Sequence, residues 1–228
     1  MGRRAGVALD VDGTLVDSVH HHAVCWQRAL AQLGHDVSAA RAHRHVGMGG
    51  DQLVEALIGA EGEARDGDAL RASHDALFAI DLPTVRPLPG ARDLLVALAR
   101  EGAPVVLASS ASEDEVRHYL DLLDADDLVA GWTTADDVDA TKPDGALLQV
   151  AWRTLGTEAA VMIGDSPWDV LAAQDAGMPA IGVDAAGFGC ASLREAGAAL
   201  VVDGLPDLLD RVHDEPFVQW RDGARSAV

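Results

Sequence analysis

The hydrophobic positions of the chain follow two different periods along its length. Residues 7–9 are a short apolar run that stops at Asp10, which is typical of a parallel-sheet strand buried on both faces. From about residue 17 to residue 82 the apolar residues instead recur at helical spacing, and no run there indicates a strand. This pattern predicts a block of helices inserted directly after the first strand.

Three helices are predicted inside this block. Their apolar faces are Trp26, Leu30 and Leu33 in the first, Leu53, Val54, Leu57 and Ile58 in the second, and Leu70, Leu77 and Phe78 in the third. Gly34 and Gly59 are expected to end the first two, because glycine favours the left-handed conformation that closes a helix. Residues 81–90 hold three prolines and a glycine, which predicts a stiff linker out of the block.

After residue 90 the pattern alternates between strands and helices. Strands are predicted at residues 105–108, 161–163, 180–183 and 200–202, and such alternation indicates βαβ units with a parallel sheet. We therefore expect an α/β fold with a doubly wound (Rossmann-like) parallel-sheet core and an inserted α-helical cap. The core would comprise residues 1–16 and 87–228, and the cap residues 17–86.

Composition restricts the classes of function. The 228 residues are 49% hydrophobic with a mean hydropathy of +0.09, and no apolar run approaches the length of a membrane span. The net charge of −20 argues against nucleic acid and anionic membranes as partners.

The sequence also bears on cellular location. Asp10 interrupts the N-terminal apolar run too early for a signal peptide. The two cysteines show no metal-ligand spacing, so we expect reduced thiols and a cytoplasmic protein, monomeric or dimeric.

Polar side chains follow three of the predicted strands at the point where each strand ends. These residues are Asp10 and Asp12 after the first, Ser109 and Ser110 after the second, and Asp165 and Asp169 after the third. Parallel strands end at one edge of a sheet, where open α/β folds bind ligands, so these groups should converge. Lys142 lies in a loop that precedes a helix and a strand, and can reach the same edge.

Two carboxylates one residue apart repel each other and need a shared proton or a cation. Carboxylate oxygens with open positions suit Mg²⁺, which shares its coordination shell with substrate phosphates. Magnesium and Lys142 would also reverse the negative field locally. One aspartate can then attack phosphorus as a nucleophile while the other acts as general acid and base. A serine hydroxyl and the ammonium group would stabilise the transferring phosphoryl group.

Four motifs of this chain resemble, in order and spacing, those of the haloacid dehalogenase-like (HAD) superfamily: residues 10–15, Ser109, Lys142 and residues 164–169. The helical block resembles the small α-helical cap of the subgroup that contains phosphoglycolate phosphatases and β-phosphoglucomutase. The resemblance implies that Asp10 is the nucleophile and a Mg²⁺ ligand. It implies that Asp12 is the general acid and base, with its backbone carbonyl on the metal. Asp165 would ligate Mg²⁺ with the support of Asp169.

The resemblance also implies the residues that bind substrate. Ser109 and Lys142 would hold the phosphoryl group, with Ser110 beside them. His22 stands where related enzymes carry a hinge histidine, and Gly49 belongs to a flexible cap loop, residues 47–50, that would face the core.

The second aspartate indicates the reaction class. Dehalogenases of this superfamily lack a residue like Asp12, and phosphonatases use a cap lysine, whereas this cap has arginines and no lysine. Phosphoryl transfer from a small phosphorylated metabolite is therefore predicted. A β-phosphoglucomutase-like activity is the alternative, but Gly50 and Ser112 stand where a mutase carries basic residues, which favours a phosphatase. A non-catalytic binding protein on the same fold is a further alternative.

Other polar clusters invite different interpretations. Residues 20–22 are three consecutive histidines, which point about 100° apart on a helix and are poorly placed to share one metal ion. Asp136, Asp137 and Asp139 lack the spacing of a calcium loop and predict a solvated turn. Trp168 is expected to pack beside the site, and the polar residues from 214 onward predict a tail that docks loosely or frays.

Overall fold

A six-stranded parallel sheet forms the core of the protein, which we describe from a computed structural model covering residues 5–134, 137–138 and 141–211. The strands are β1 (Gly6–Leu9), β2 (Val105–Ala108), β3 (Gly131–Thr133), β4 (Ala160–Gly164), β5 (Ala180–Val183) and β6 (Leu200–Val202). Their order across the sheet is β3-β2-β1-β4-β5-β6. The strand order therefore reverses direction between β1 and β4, which is where doubly wound sheets open a ligand crevice.

The central strand β1 is buried on both faces, as its unbroken apolar run predicts. Val7 pairs with Val105 of β2 and with Val161 of β4. Val7 belongs to the apolar cluster on one face of the sheet and Ala8 to the cluster on the other. This alternation is expected of a strand whose successive side chains point to opposite faces. The predicted doubly wound α/β core is confirmed.

Nine α-helices occur in the described residues. They are α1 (Val19–Gln32), α2 (Ala39–His43), α3 (Gly50–Asp81), α4 (Ala91–Arg100), α5 (Glu113–Leu123), α6 (Ala146–Leu155), α7 (Pro167–Asp175), α8 (Cys190–Glu195) and α9 (Leu205–Arg211). Single 3₁₀ turns lie at Leu82–Thr84 and Asp126–Leu128. The described helices include none that is both long enough and apolar enough to cross a bilayer. Cys25 and Cys190 are free thiols, as expected.

Helices α1 to α3 form the inserted helical block and bury their own apolar cluster, which includes Trp26, Leu53 and Leu70. The second and third predicted helices are the two parts of α3, which are separated at Gly59 by a non-helical conformation with φ 79°. The glycine breaks the helical geometry where the sequence predicts an end, but the chain resumes a helix immediately. Helix α1 ends at Gln32, two residues before Gly34, which has φ 82°.

Four short elements have no counterpart in the sequence prediction: α2, β3, α8 and α9. Helices α2, α8 and α9 have five to seven residues, which is too short for a helical period to be recognised, and β3 is Gly-Trp-Thr, which is not an apolar run. Strand β3 lies at the edge of the sheet and pairs only with β2. Its existence depends on that pairing and not on its own composition.

The chain enters and leaves the helical block through two paired segments. The backbone N–H of Leu88 donates to the carbonyl of Leu15 at 2.9 Å, and the N–H of Asp17 donates to the carbonyl of Arg86 at 2.9 Å. The predicted boundaries at residues 16/17 and 86/87 fall at this junction and stay a prediction.

The acidic turn predicted at residues 136–139 is described in part. Asp137 accepts a hydrogen bond from the backbone N–H of Thr134 at 2.8 Å. Residues 136 and 139 and the tail from 214 lie outside the described residues.

Candidate active site

Asp10 lies at the end of β1, in the crevice where the strand order reverses. Its backbone N–H donates to the carbonyl of Ile163 on β4 at 2.9 Å, which holds it at the sheet edge. The chain then turns at Gly13, which has φ 84°. A Cβ atom at that position would lie 2.5 Å from Oδ2 of Asp165. Glycine is needed here both for the left-handed backbone and for the close approach of Asp165.

Lys142 places an ammonium group among these carboxylates. Its Nζ lies 2.6 Å from Oδ1 of Asp10 and 2.7 Å from Oδ1 of Asp169. The side chain of Lys142 is 1% exposed, and Lys142 is the only lysine in the sequence. Burial by itself lowers the pKa of Lys142, but the charges of Asp10 and Asp169 outweigh it and raise the pKa above its usual value. The group is therefore a permanent cation at neutral pH.

Three buried carboxylates face one another and form a possible cation site. Asp10, Asp165 and Asp169 each offer an oxygen within 4.8 Å of the others. The hydroxyl of Thr14 lies 3.1 Å from Oδ2 of Asp10 and 3.1 Å from Oδ1 of Asp165, so it bridges the two. Oδ2 of Asp165 is buried and accepts no hydrogen bond from any of the described residues. An orphaned carboxylate oxygen beside two others is what a hard divalent cation would satisfy.

Charge repulsion in this trio shows how strongly a cation would be favoured. Burial and the charge of Asp169 raise the pKa of Asp10 to about 7, in spite of the opposing effect of Lys142. Burial and the charges of Asp10 and Asp169 raise the pKa of Asp165 well above its usual value. The ionised forms of Asp10 and Asp165 are thus disfavoured, so a bound divalent ion would relieve the repulsion and lower both pKa values. The residues present fit a metal centre with oxygen ligands.

The start of α7 holds Asp169 in place. Ser166 and Asp169 form a capping box in which Oδ2 of Asp169 accepts from the backbone N–H of Ser166 at 3.1 Å and from its hydroxyl at 2.7 Å. This leaves Oδ1 of Asp169 directed towards Lys142. The predicted sheet-edge residues of β1 and β4 and Lys142 are thus brought together.

Asp12 has a separate set of partners. Its Oδ1 accepts from the hydroxyl of Ser18 at 2.5 Å and from Nε2 of His22 at 3.2 Å. Burial by itself raises the pKa of Asp12, but the hydrogen bonds and the imidazole of His22 lower it below its usual value. The hydroxyl of Ser109 lies 3.5 Å from Oδ2 of Asp12. Asp10 and Asp12 therefore differ in environment, and without metal the higher pKa of the two belongs to Asp10.

The two serines after β2 face the site in different ways. The hydroxyl of Ser109 is buried and accepts a hydrogen bond from the backbone N–H of Ala111 at 3.0 Å. The hydroxyl of Ser110 is buried without a hydrogen-bond partner among the described residues, although Ser110 lines the cavity. The donor of Ser110 is thus free to reach a ligand.

A cavity of about 280 Å³ lies between the sheet edge and the helical block. From the core it is lined by Asp10, Asp12 and Ser110, and from the block by His22, Trp26, Met48, Arg71 and His74, among others. A space of this size matches a small metabolite.

The loop at residues 46–50 closes the cavity against the core. The backbone N–H of Gly49 donates to the carbonyl of Lys142 at 3.2 Å, and the hydroxyl of Thr141 donates to Asp51 at 2.7 Å. A Cβ atom on Gly49 would collide with the side chain of Thr141. Gly49 therefore lies at the contact with the core, while its neighbours Met48 and Gly50 line the cavity.

Trp168 also joins the core to the helical block. Its indole Nε1–H donates to the carbonyl of Arg44 at 3.2 Å, and its ring stacks on His45 with centroids 6.1 Å apart.

The three consecutive histidines of α1 point in different directions. His22 faces Asp12, whereas His20 stacks on His43 on another side of α1. This divergence agrees with the expectation that the three do not share a metal ion.

Sequence reasoning missed three residues of the site: Thr14, Ser18 and His74. Thr14 and Ser18 lie within six positions of Asp12, so their proximity to the carboxylates could have been anticipated. His74 lies far along the chain in α3, and no local pattern separates it from a histidine of the helical core.

Comparison with known proteins agrees with this geometry. Residues 5–177 match the model of the haloacid dehalogenase-like hydrolase family. A phosphoglycolate phosphatase from Rhodospirillum rubrum is 33% identical over 215 residues, which are 90% of this chain and 89% of the relative. A hydrolase from Pseudomonas syringae shares the fold with a TM-score of 0.87 and 29% identity, covering 93% of this chain and 99% of that one.

A more distant structure is that of CbbY from Rhodobacter sphaeroides in complex with xylulose-(1,5)bisphosphate, at a TM-score of 0.72 and 22% identity, covering 90% of this chain and 96% of that one. At that identity the likeness supports the fold alone. The predicted enzyme class and the predicted superfamily are both confirmed by the family match. This chain belongs to the haloacid dehalogenase-like hydrolase family and is a phosphatase of that family.

Proposed function

We propose that the enzyme is a Mg²⁺-dependent phosphatase that hydrolyses a small phosphorylated metabolite through an aspartyl-phosphate on Asp10. The observation that carries the proposal is the pair Asp10 and Asp12. Both line one cavity, but Asp10 is held by Lys142 at 2.6 Å and Asp12 by Ser18 and His22. Phosphoglycolate is the first substrate to test, because the relative from Rhodospirillum rubrum bears that name.

In the first step a carboxylate oxygen of Asp10 forms a bond to phosphorus while the bond to the leaving oxygen breaks. Asp12 enters this step in its acid form, although its partners in the substrate-free site favour the carboxylate, and gives its proton to that leaving oxygen. In the second step Asp12 takes a proton from water, and the water oxygen attacks the phosphorus of the aspartyl-phosphate and releases inorganic phosphate. Asp10 is thereby regenerated as a carboxylate and Asp12 as an acid.

The remaining groups hold the phosphoryl oxygens. Lys142 supplies a buried cation, and the hydroxyls of Ser109 and Ser110, which follow β2, supply donors. Asp10, Asp165 and Asp169, with the backbone carbonyl of Asp12, would hold Mg²⁺, which when bound supplies positive charge for the phosphoryl oxygens. Without positive charge the cluster of carboxylates would repel a phosphate ester.

The loop that carries Gly49 brings the helical block against the core at the site. The backbone N–H of Gly49 donates to the carbonyl of Lys142, and its neighbours Met48 and Gly50 line the cavity. The cavity measures about 280 Å³, which suits a small phosphorylated metabolite. The substrate-binding roles of His22 and Gly49, the cytoplasmic location, the monomeric or dimeric state and the lack of nucleic-acid and membrane partners stay predictions.

A sugar phosphomutase is less well supported. A bisphosphate needs a second cationic pocket, and Gly50 and Ser112 contribute no charge where they line the cavity. Arg71 is the one arginine or lysine among the described residues that line it, and its guanidinium already pairs with Glu63 and Asp68, each at 2.7 Å. This lining favours water over a second phosphorylated sugar as the acceptor.

The test is phosphate release from a panel that includes phosphoglycolate and small sugar phosphates, with Mg²⁺ and with EDTA. We expect metal-dependent release that the Asp10→Asn variant abolishes while its circular dichroism stays unchanged. Acid-quenched wild-type enzyme should gain one phosphoryl group on the peptide that contains Asp10. Conversion of β-glucose 1-phosphate to the 6-phosphate without release of phosphate would instead establish the mutase. Normal turnover by Asp10→Asn would overturn the assignment of the nucleophile.

A further inference from the structure

A continuous series of contacts leads from Asp12 into α3. Nε2 of His22 lies 3.2 Å from Oδ1 of Asp12, and Nδ1 of His22 lies 3.1 Å from Nε2 of His74. Nδ1 of His74 in turn lies 2.9 Å from Oδ1 of Asp75. The series joins a buried carboxylate at the reacting centre to a carboxylate whose side chain is 72% exposed.

All four ring nitrogens of the two histidines are engaged in this series. A rotation of either ring by 180° would replace a nitrogen with a carbon and break at least one of the three contacts. His22 is therefore held in one orientation, with Nε2 donating to the carboxylate of Asp12. That orientation depends on His74, since the only described partner of Nδ1 of His22 is the ring of His74.

Stacked aromatic rings keep the two imidazoles in place. His74 lies against Trp26 with ring centroids 4.2 Å apart, and His22 lies against Phe78 at 3.8 Å. Both histidines are buried, at 8% and 7% exposure. Packing alone positions the planes of the rings, but it does not distinguish a nitrogen from a carbon at the ring edge. The hydrogen bonds of His74 supply that distinction.

We propose that His74, anchored by Asp75, is a positioning residue that orients His22 and through it the carboxyl group of Asp12 for proton transfer to the leaving group. The proposal rests on the proposed phosphatase reaction, in which Asp12 is the general acid. His74 does not touch the reacting atoms of the substrate. It acts through His22, and its loss should affect those reactions in which protonation of the leaving oxygen matters.

The test compares two classes of ester in the wild type and in His74→Phe. Phenylalanine keeps the stack on Trp26 and removes both hydrogen bonds. We expect kcat/KM for an alkyl phosphate, which needs a proton on its leaving oxygen, to fall by about 10-fold or more, a part of the usual general-acid contribution. For p-nitrophenyl phosphate, whose leaving group departs as an anion, kcat/KM should stay within about twofold.

Two amide variants locate the contact that matters. In His74→Gln the side-chain amide reaches the position of Nε2 and can still bond His22, whereas in His74→Asn it reaches only the position of Nδ1 and Asp75. We expect Gln to recover most of the alkyl phosphate activity and Asn to recover little. The matched control is His35→Phe. His35 is a cap histidine whose Nε2 lies 2.8 Å from Oδ2 of Asp66, and it does not line the cavity. Its replacement should change neither activity.

An equal loss of kcat/KM for both classes of ester would show that His74 has only a structural role and would overturn the proposal. A readout that needs no turnover is the ¹⁵N spectrum of the histidine rings, assigned for His22 with a His22→Gln variant. The Nδ1 signal of His22 should shift in His74→Phe and stay in place in His35→Phe. An unshifted signal also overturns the proposal. Absence of phosphate release by the wild type would instead count against the proposed function, and the spectrum would still decide the role of His74.

Discussion

The ammonium group of Lys142 lies 2.6 Å from Oδ1 of Asp10, although 132 positions separate the two residues along the chain. The same group lies 2.7 Å from Asp169. Burial of a charge is costly unless it is paired, and here one cation is shared by two carboxylates of a cluster of three. The pair joins the predicted nucleophile to the loop before α6, so the geometry of the site and the stability of the core depend on the same contact.

Replacing Lys142 with methionine should therefore reduce both stability and activity. The change leaves Asp10 and Asp169 buried without their cationic partner, which costs roughly 3–5 kcal/mol of unfolding free energy in other proteins. Urea denaturation in metal-free buffer measures the loss, and phosphate release measures the activity. The control is Arg117→Met, because Arg117 pairs with Glu113 at the same distance of 2.6 Å but on the surface. An equal effect of the two changes would contradict our account of the buried pair.

Gly13→Ala should weaken metal binding and abolish activity. The added Cβ would lie 2.5 Å from Oδ2 of Asp165 and would also strain a backbone with φ 84°. Gly34 has nearly the same φ, 82°, and no atom within 4 Å of its Cβ position. Gly34→Ala therefore reports backbone strain alone, about 1 kcal/mol, with normal activity. Isothermal titration calorimetry measures the Mg²⁺ affinity of the two variants. Similar affinities in both would argue against the proposed site.

Thr14→Val should lower metal affinity without disturbing the fold. Valine has nearly the shape of threonine but lacks the hydroxyl that lies 3.1 Å from both Asp10 and Asp165. Partners of this kind are typically worth about 10- to 100-fold in metal affinity. The measurement is the dissociation constant for Mg²⁺, with Thr154→Val as the control, since that hydroxyl bonds only the backbone of its own helix. Unchanged affinity would show that Thr14 does not orient the ligands.

Mg²⁺ should stabilise the protein more at pH 8 than at pH 5.5. The pKa of Asp10 rises from 3.8 to about 7 on folding without metal, so between these values the folded state binds more protons than the unfolded state. Its stability then falls as pH rises towards 7. A divalent cation needs the ionised carboxylate and removes this penalty. Melting temperatures with and without Mg²⁺ test this, and the pH dependence should weaken in Asp10→Asn. A Mg²⁺ effect that is equal at both pH values would contradict it.

Much of the core could be predicted because its signals are local. The apolar run of β1, the turn at Gly13 and the capping boxes of α5 and α7 each involve residues within a few positions of one another. Strand β3 escaped prediction because its sequence, Gly-Trp-Thr, is not an apolar run, whereas the equally short β6 is one. The break at Gly59 was anticipated, but its consequence was not, since the packing of α1 on α3 stabilises the helix on both sides of the break.

The order of the motifs was enough to indicate that Asp10, Asp12, Ser109, Lys142 and Asp165 converge, because the ends of parallel strands meet at one edge of a sheet. It was not enough to show which atoms meet. That Lys142 contacts Asp10 and Asp169, and that Ser110 keeps a free hydroxyl, depends on side-chain directions that no spacing encodes.

The sequence by itself determined the fold class, the enzyme family and the residues expected to carry the chemistry, since these follow from local hydrophobic period and from the order of short motifs. Only the tertiary structure decided that His22 reaches Asp12 through one ring nitrogen and His74 through the other. The physical reason is that this contact joins α1 to α3 across 52 positions. Helix packing sets such a distance, and the pattern of either helix alone does not.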